Sequence, residues 1–334
     1  MSSLLDKMLK SIERPDIRQL ILYGDHNNHK IIPENAKVWV NAQPIKRLKK
    51  VAKAIIETNI YISYIDIVNA ITSAQHKFFT IPIVTYTILT EEETKSGYMF
   101  TLLWLVLCQD NNYPLPDAIY YIDTCGKFIQ SGETYIIVND MDYSGNSTRD
   151  MLESDLSFIN KLSINLYLFR AYSTSIAMDN IIDAFTNKMN ITCILGGDII
   201  PSYKETLITK YGEDEGNVIF RDTELFWSGY NNLGITNVIL EYKIANMLST
   251  LLPVYMLGLV PTRQSYLLSD NMTILPDTEQ TFINLVNGCE QAHKKAIEIY
   301  YKKGKGDLKY SVDNFIFDDI PSCPKPWYKS VKFS

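Results

Sequence analysis

The residues best suited to chemistry in this chain sit in one stretch, Tyr135 to Thr148, reading YIIVNDMDYSGNST. Apolar residues run into Asn139 and Asp140, a loop of small polar residues follows around Gly145, and a segment able to start a helix comes next. In this way a buried parallel strand delivers a carboxylate to the carboxyl end of a sheet. The loop amides and the next helix's N-terminus both favour negative charge, so the expected chemistry is the binding of a phosphate-bearing ligand. Small residues suit such a loop because the backbone must approach the phosphate closely. A second place is Lys95-Ser96-Gly97, lying between a strand-like and a helix-like segment. There a cation and a helix N-terminus could receive an anion, although a bare KSG is by itself an ordinary solvated turn. The acidic run before it, Glu91, Glu92 and Glu93, is expected to point outward.

These residues need elements to position them. Ile81–Leu89 is β-branched and aromatic, the profile of a buried strand, and Thr90–Gly97 is polar and turn-forming. Tyr98–Cys108 reads as an apolar helix, Ala118–Ile122 and Tyr135–Val138 as strands, Arg149–Leu162 as a helix. Ile164–Ala171 is the next strand, Ser175–Met189 a helix and Ile191–Leu195 a strand. Short apolar strands alternating with helices imply βαβ units and a parallel sheet over about residues 81–200. Residues 1–80 read as a mostly helical extension with one extended patch at Ala36–Val40. Within it, RLKKVAKAII (Arg47–Ile56) places lysines opposite an apolar face, the sign of a solvated basic surface. Residues 201–334 contribute a strand at Asn237–Tyr242 and a long amphipathic helix near Asp277–Tyr301, packed on the core as a C-terminal extension.

Composition narrows the classes. The chain has 334 residues, 46% hydrophobic and 21% charged, enough for one large α/β domain or two smaller ones. A net charge of −6 argues against a nucleic-acid-binding surface. Five scattered cysteines without CxxC spacing read as reduced thiols, neither a disulfide framework nor a zinc site. His26 and His29 fall in a polar loop, DHNNHK, and read as solvated. The N-terminal MSSLLDKMLKSIERPD lacks the apolar core of a signal peptide and looks like a short amphipathic helix. The apolar stretches Tyr98–Cys108 and Met247–Val260 are too short for a membrane span, so the expected setting is intracellular and cytoplasmic. A Walker loop and a GxSxG elbow are both absent from the sequence.

The hydrophobic strand, acid-type pair and Ser-Gly-x-Ser turn of Tyr135–Thr148 resemble the ribose-phosphate loop of type I phosphoribosyltransferases. The resemblance implies a Rossmann-like parallel sheet of that family's kind, flanked by N-terminal helical and C-terminal α+β extensions. It implies binding of phosphoribosyl pyrophosphate with Mg²⁺, and transfer of ribose 5-phosphate to a nucleobase through an oxocarbenium-like transition state. By the same resemblance Asp142, Tyr143, Ser144, Gly145, Asn146, Ser147 and Thr148 would wrap the 5′-phosphate. Asp140 would hold the ribose hydroxyls, directly or through Mg²⁺, and stabilise charge at the anomeric carbon. Lys95, Ser96 and Gly97 would receive the pyrophosphate. The family carries an acid where this chain has Asn139, and more often Gly where it has Asn146; Asn tolerates left-handed backbone better than most residues. Ile239–Thr250 and the tail Cys323–Lys329 resemble phosphoribosyltransferase-like proteins of large DNA viruses, which implies an accessory role for Glu241 and Lys243 near the base. If the chain is viral, the cytoplasm is that of a host cell.

Two other readings stay open. Asn139, Asn146 and Asn246 stand where the family prefers other residues, which suits a catalytically inactive member serving as a nucleotide or phosphate sensor or as an interaction scaffold. Asp140-Met-Asp142 also fits the nucleophile motif of haloacid-dehalogenase-like phosphatases, with Phe315–Asp319 (FIFDD) as late metal-binding acids. The expected partners are phosphoribosyl pyrophosphate or a nucleotide and a second copy of the chain, with no membrane and no nucleic acid.

Overall fold

The computed structural model describes residues 3–24, 37, 40–41, 46–82, 85–93, 95–143, 145–154, 164–185, 190–227 and 236–240. Ser144, His26, His29, Glu241, Lys243, Asn246, the helix expected near 277–301, the FIFDD segment and the Cys323–Lys329 tail lie outside the described residues. The chain divides into two compact units. The first comprises Met1–His26, Ser63–Ile200 and Trp327–Ser334; the second comprises Asn27–Ile62 and Pro201–Pro326.

The first unit is α/β. After helices α1 (Leu4–Glu13) and α2 (Pro15–Tyr23) it contains α4 (Tyr64–Phe79), β2 (Thr87–Thr90), α5 (Ser96–Asp110), β3 (Ala118–Tyr121), β4 (Thr134–Asp142), α6 (Asn146–Ser154), β5 (Asn165–Thr174), α7 (Ser175–Phe185), β6 (Asn190–Leu195) and β7 (Ile199–Ile200). Every described strand pairing in this sheet is parallel, in the spatial order β3-β2-β4-β5-β6, with β7 added against the end of β5. This is a Rossmann-like, doubly wound arrangement, and its chain order reverses between β2 and β4.

Helices cover both faces. On one side Phe78 of α4 meets Trp104 of α5 and Tyr167 and Phe169 of β5 edge-on, at ring separations of 5.2–5.9 Å. On the other, Leu152 of α6 and Ile181 and Phe185 of α7 pack on Tyr135, Ile137, Leu166 and Leu168 of the sheet. Burial on both faces explains why the strands read as near-continuous apolar runs without alternation. Helix α5, apolar all round, is buried from Gly97 to Cys108. Among the described residues, no helix is long and apolar enough to cross a membrane.

Local signals set several boundaries. Ser3 and Ser63 form capping boxes with Asp6 and Asp66 at the starts of α1 and α4. Helix α4, which the sequence groups with the N-terminal extension, packs on β5 as one of the sheet's covering layers. Gly196 follows β6 where a Cβ would lie 1.7 Å from the Ala70 carbonyl oxygen of α4, so close helix–strand packing demands glycine there.

The second unit holds α3 (Lys46–Glu57), β1 (Ile60–Ile62), α8 (Tyr203–Tyr211), α9 (Glu213–Trp227) and β8 (Val238–Leu240). β1 and β8 pair in parallel. Asn237 joins them to α3, its Nδ2 donating to the Ile55 carbonyl at 2.6 Å and its own carbonyl accepting from Ile60 N at 2.8 Å. In α3 the lysines face water while Val51, Ala52, Ala54 and Ile55 are buried, as the amphipathic pattern predicts. The extended patch expected at Ala36–Val40 is corrected, because Lys37 and Val40 are helical. Helices α8 and α9 went unread in the sequence, although Ser202 and Glu205 form a capping box at the start of α8.

Candidate functional site

The reversal of strand order places the loops after β2 and β4 side by side at the carboxyl edge of the first unit's sheet, where doubly wound folds bind ligands. Both sequence-predicted loops are there. Lys95 is the exposed N-cap of α5, and Ser96 and Gly97 form its first turn. Asn139–Asp142 close β4, and Asn146, Ser147 and Thr148 open α6. One hydrogen bond ties the two loops together: the Ser96 hydroxyl donates to Asn139 Oδ1 at 3.1 Å. The same oxygen accepts from Asp140 N at 2.9 Å, so the Asn139 amide orients the strand end. Asp140 itself is buried.

The turn into α6 depends on Gly145. Its φ is +74°, in the region L side chains rarely adopt, and a Cβ there would sit 2.8 Å from the Ala177 carbonyl oxygen of α7. This corrects the left-handed role suggested for Asn146, which is the first residue of α6; Asn112 is the one non-glycine with positive φ among the described residues. Thr174, closing β5, donates its hydroxyl to the Tyr143 carbonyl at 2.6 Å and accepts from Ala177 N at 3.0 Å. The turn after β4 is thereby docked on the junction of β5 with α7.

Two proposed phosphate contacts are engaged inside the protein. Arg170 of β5, 2% exposed, donates Nε to Asp142 Oδ2 at 2.6 Å. Thr148 donates its hydroxyl to Asp142 Oδ1 at 2.7 Å and accepts from Arg170 Nη2 at 3.1 Å. Arg170 Nη1 caps the Phe169 carbonyl at 2.9 Å and the Ile137 carbonyl at 3.4 Å. A lone arginine inside the apolar strand NLYLFRAYST is itself a signal, since a buried guanidinium requires an anionic partner; the sequence reading gave it no role.

Around α5 the expectation for Glu91 is overturned. Glu92 and Glu93 are exposed, but Glu91 folds back and its Oε2 accepts from Gly97 N at 3.0 Å. A Cβ on Gly97 would lie 2.5 Å from that oxygen. The carboxylate takes up an amide at a helix N-terminus, where the positive end of the helix dipole favours it. Thr101 fixes the same turn, donating its hydroxyl proton to the Gly97 carbonyl at 2.8 Å and sharing a hydroxyl–hydroxyl contact of 2.9 Å with Thr90.

The arrangement therefore combines a buried carboxylate at a strand end, a glycine-dependent turn into a helix N-terminus, and a second helix N-terminus joined to it through Ser96. It is suited to holding a polyanion against the sheet edge.

No family model matches the chain, and no curated protein matches it. Among solved structures, a hypothetical protein from Neisseria gonorrhoeae with bound ppGpp aligns at 15% identity over 49% of this chain and 96% of its own, with a TM-score of 0.28. Serine palmitoyltransferase from S. paucimobilis with a bound PLP–myriocin aldimine aligns at 9% identity over 86% of this chain and 83% of its own, with a TM-score of 0.24. Both superpositions are too loose to bear on fold or ligand.

Proposed function

We propose that this chain is a phosphoribosyltransferase-like protein that binds phosphoribosyl pyrophosphate, or a nucleotide carrying the same ribose 5-phosphate, at the carboxyl edge of its parallel sheet. The observation that carries this reading is the Ser96–Asn139 hydrogen bond, which unites the two loops that such a ligand would have to touch at once. The amides of Gly145, Asn146 and Ser147 would receive the 5′-phosphate, and Asp140 the ribose hydroxyls.

Mg²⁺ fits this reading. By the resemblance Asp140 would be the carboxylate beside a cation, while Asn139 Oδ1, which accepts from Ser96 and from the Asp140 amide, brings no charge there. Mg²⁺ keeps several waters and is commonly held by one or two carboxylates plus ligand phosphates. When bound it would neutralise charge on the pyrophosphate.

A second, non-catalytic reading is favoured by Glu91. Its carboxylate engages the Gly97 amide that a departing pyrophosphate would use, so binding of the 5′-phosphate is better supported than transfer to a nucleobase. The phosphatase reading of Asp140-Met-Asp142 has less support, because both oxygens of Asp142 are engaged by Arg170 and Thr148.

The test is calorimetric titration of phosphoribosyl pyrophosphate, with and without Mg²⁺, into the wild type and Asp140→Ala. Saturable binding that weakens in the variant supports the site. Absence of binding at millimolar ligand overturns it.

A further inference from the structure

We propose that Arg170 is a positioning residue: with Asp142 and Thr148 it sets how the end of β4 leads into the start of α6 for an incoming phosphate and does not contact the ligand. The inference deepens the function proposed above and rests on it for the identity of the ligand.

Three observations carry it. Asp142 is the last residue of β4 and Thr148 lies in the first turn of α6, so their contacts with each other and with Arg170 tie the strand end and the helix start to one buried guanidinium on the neighbouring strand. The triangle is closed, since each member bonds both others, and Arg170 Nη1 anchors to the carbonyls of Ile137 and Phe169. The middle of the loop is held independently from the same side, by Thr174 on the Tyr143 carbonyl and by Ala177 against Gly145. Burying a charged pair brings a desolvation cost that packed apolar side chains would avoid, so the triangle is weak evidence of added stability. What it supplies is direction. A loop whose amides already face one way loses less conformational freedom when it closes on an anion.

Hydrogen exchange and binding together test this. Thr148→Val removes the hydroxyl while retaining the Arg170–Asp142 pair; Arg170→Lys retains a charge but cannot bridge both partners; Thr148→Ser is the conservative control. In the ligand-free protein, amide exchange at 149–152, the first amides of α6 with backbone acceptors, is expected to speed up about tenfold or more in Thr148→Val and Arg170→Lys, the factor that loss of a charge-assisted hydrogen bond implies. Exchange in β2 should be unchanged, and Thr148→Ser should resemble the wild type. Affinity for phosphoribosyl pyrophosphate is expected to fall in parallel. If Thr148 contacted the ligand directly, affinity would fall with that exchange unaltered, which overturns the inference. A loosened helix start that still binds with wild-type affinity overturns it too. If the wild type binds no phosphoribosyl pyrophosphate, the ligand assignment fails, while the exchange data still decide whether the triangle sets the helix start. Should Arg170→Lys not fold, Thr148→Val and Thr148→Ser suffice.

Discussion

Ser96 and Asn139 lie 43 residues apart in the chain and 3.1 Å apart in space, hydroxyl to amide oxygen. Their contact turns two separate turns into one edge of a site. It also gives Asn139 a function that an acid could perform equally well, since a carboxylate oxygen would accept from Ser96 and from the Asp140 amide.

Asn139→Asp should therefore fold normally. It would add a second carboxylate beside Asp140, and Mg²⁺-dependent affinity for phosphoribosyl pyrophosphate should rise. An accompanying gain in turnover with a nucleobase acceptor would identify a weakened enzyme. No turnover in either form, with binding intact, would favour the sensor reading. Calorimetry with and without Mg²⁺, followed by product assay, reads both.

Glu91→Gln removes a negative charge from the N-terminus of α5 while keeping an acceptor for Gly97 N. Stability should fall by about 0.3–1 kcal/mol, the usual worth of such a charge at a helix end. Affinity for inorganic pyrophosphate should rise by about fivefold, corresponding to ~1 kcal/mol. Urea denaturation and a pyrophosphate titration check the two, and unchanged or weaker pyrophosphate binding would show that this helix end is not part of the site.

Three glycines should rank in a definite order when changed to alanine. At Gly132 the φ is +87° with nothing within 4 Å of a Cβ, so only backbone strain of about 1 kcal/mol is expected. At Gly145 the same strain adds to a 2.8 Å clash with the Ala177 carbonyl oxygen. At Gly196 the added carbon would lie 1.7 Å from the Ala70 carbonyl oxygen, forcing α4 and β6 apart, at a cost of about 3 kcal/mol or more. Chemical denaturation midpoints of the three variants give the order directly.

Burial pushes the Cys108 thiol up to about 12. At pH 8 the reactive thiolate is then on the order of one part in ten thousand. Iodoacetamide should leave Cys108 unmodified in the native protein and modify it once urea unfolds the chain, as peptide mapping would reveal. Modification at pH 8 without denaturant would mean that α5 opens far more often than its burial suggests.

Much of the first unit was legible in the sequence. Strands β3 to β6 are runs rich in β-branched and aromatic residues between turn-forming segments, and in the central β4 and β5 burial on both faces preserves that signature. The stretch around Tyr135–Thr148 could be assigned to a strand end and a helix start because chain order alone dictates it. Arg170 could not be given its task in the same way. Its partner Asp142 is 28 residues away, and only the parallel register that sets Asn139 opposite Arg170 brings the two together. Glu91 was misread for a related reason: a run of three acids looks uniformly solvated, and the backward turn of the first becomes evident only once the start of α5 is fixed at Ser96. Helix α8 was missed although Ser202-x-x-Glu205 announces its start, because its nine residues carry little amphipathic contrast.

The pairing of β1 with β8 has a consequence for how the chain is made. Asn59 and Asn237, which flank that pairing, are 178 residues apart. During synthesis at the usual 5–20 residues per second, β1 emerges on the order of ten seconds or more before its partner exists. All strands of the larger sheet lie between Thr87 and Ile200 and are complete by then. The second unit is thus a late assembly whose first segment, Asn27–Ile62, waits while the first unit's sheet is translated. In that interval Ile60–Ile62 is an unpaired strand edge, the kind of surface that nascent chains hand to a chaperone or lose to aggregation.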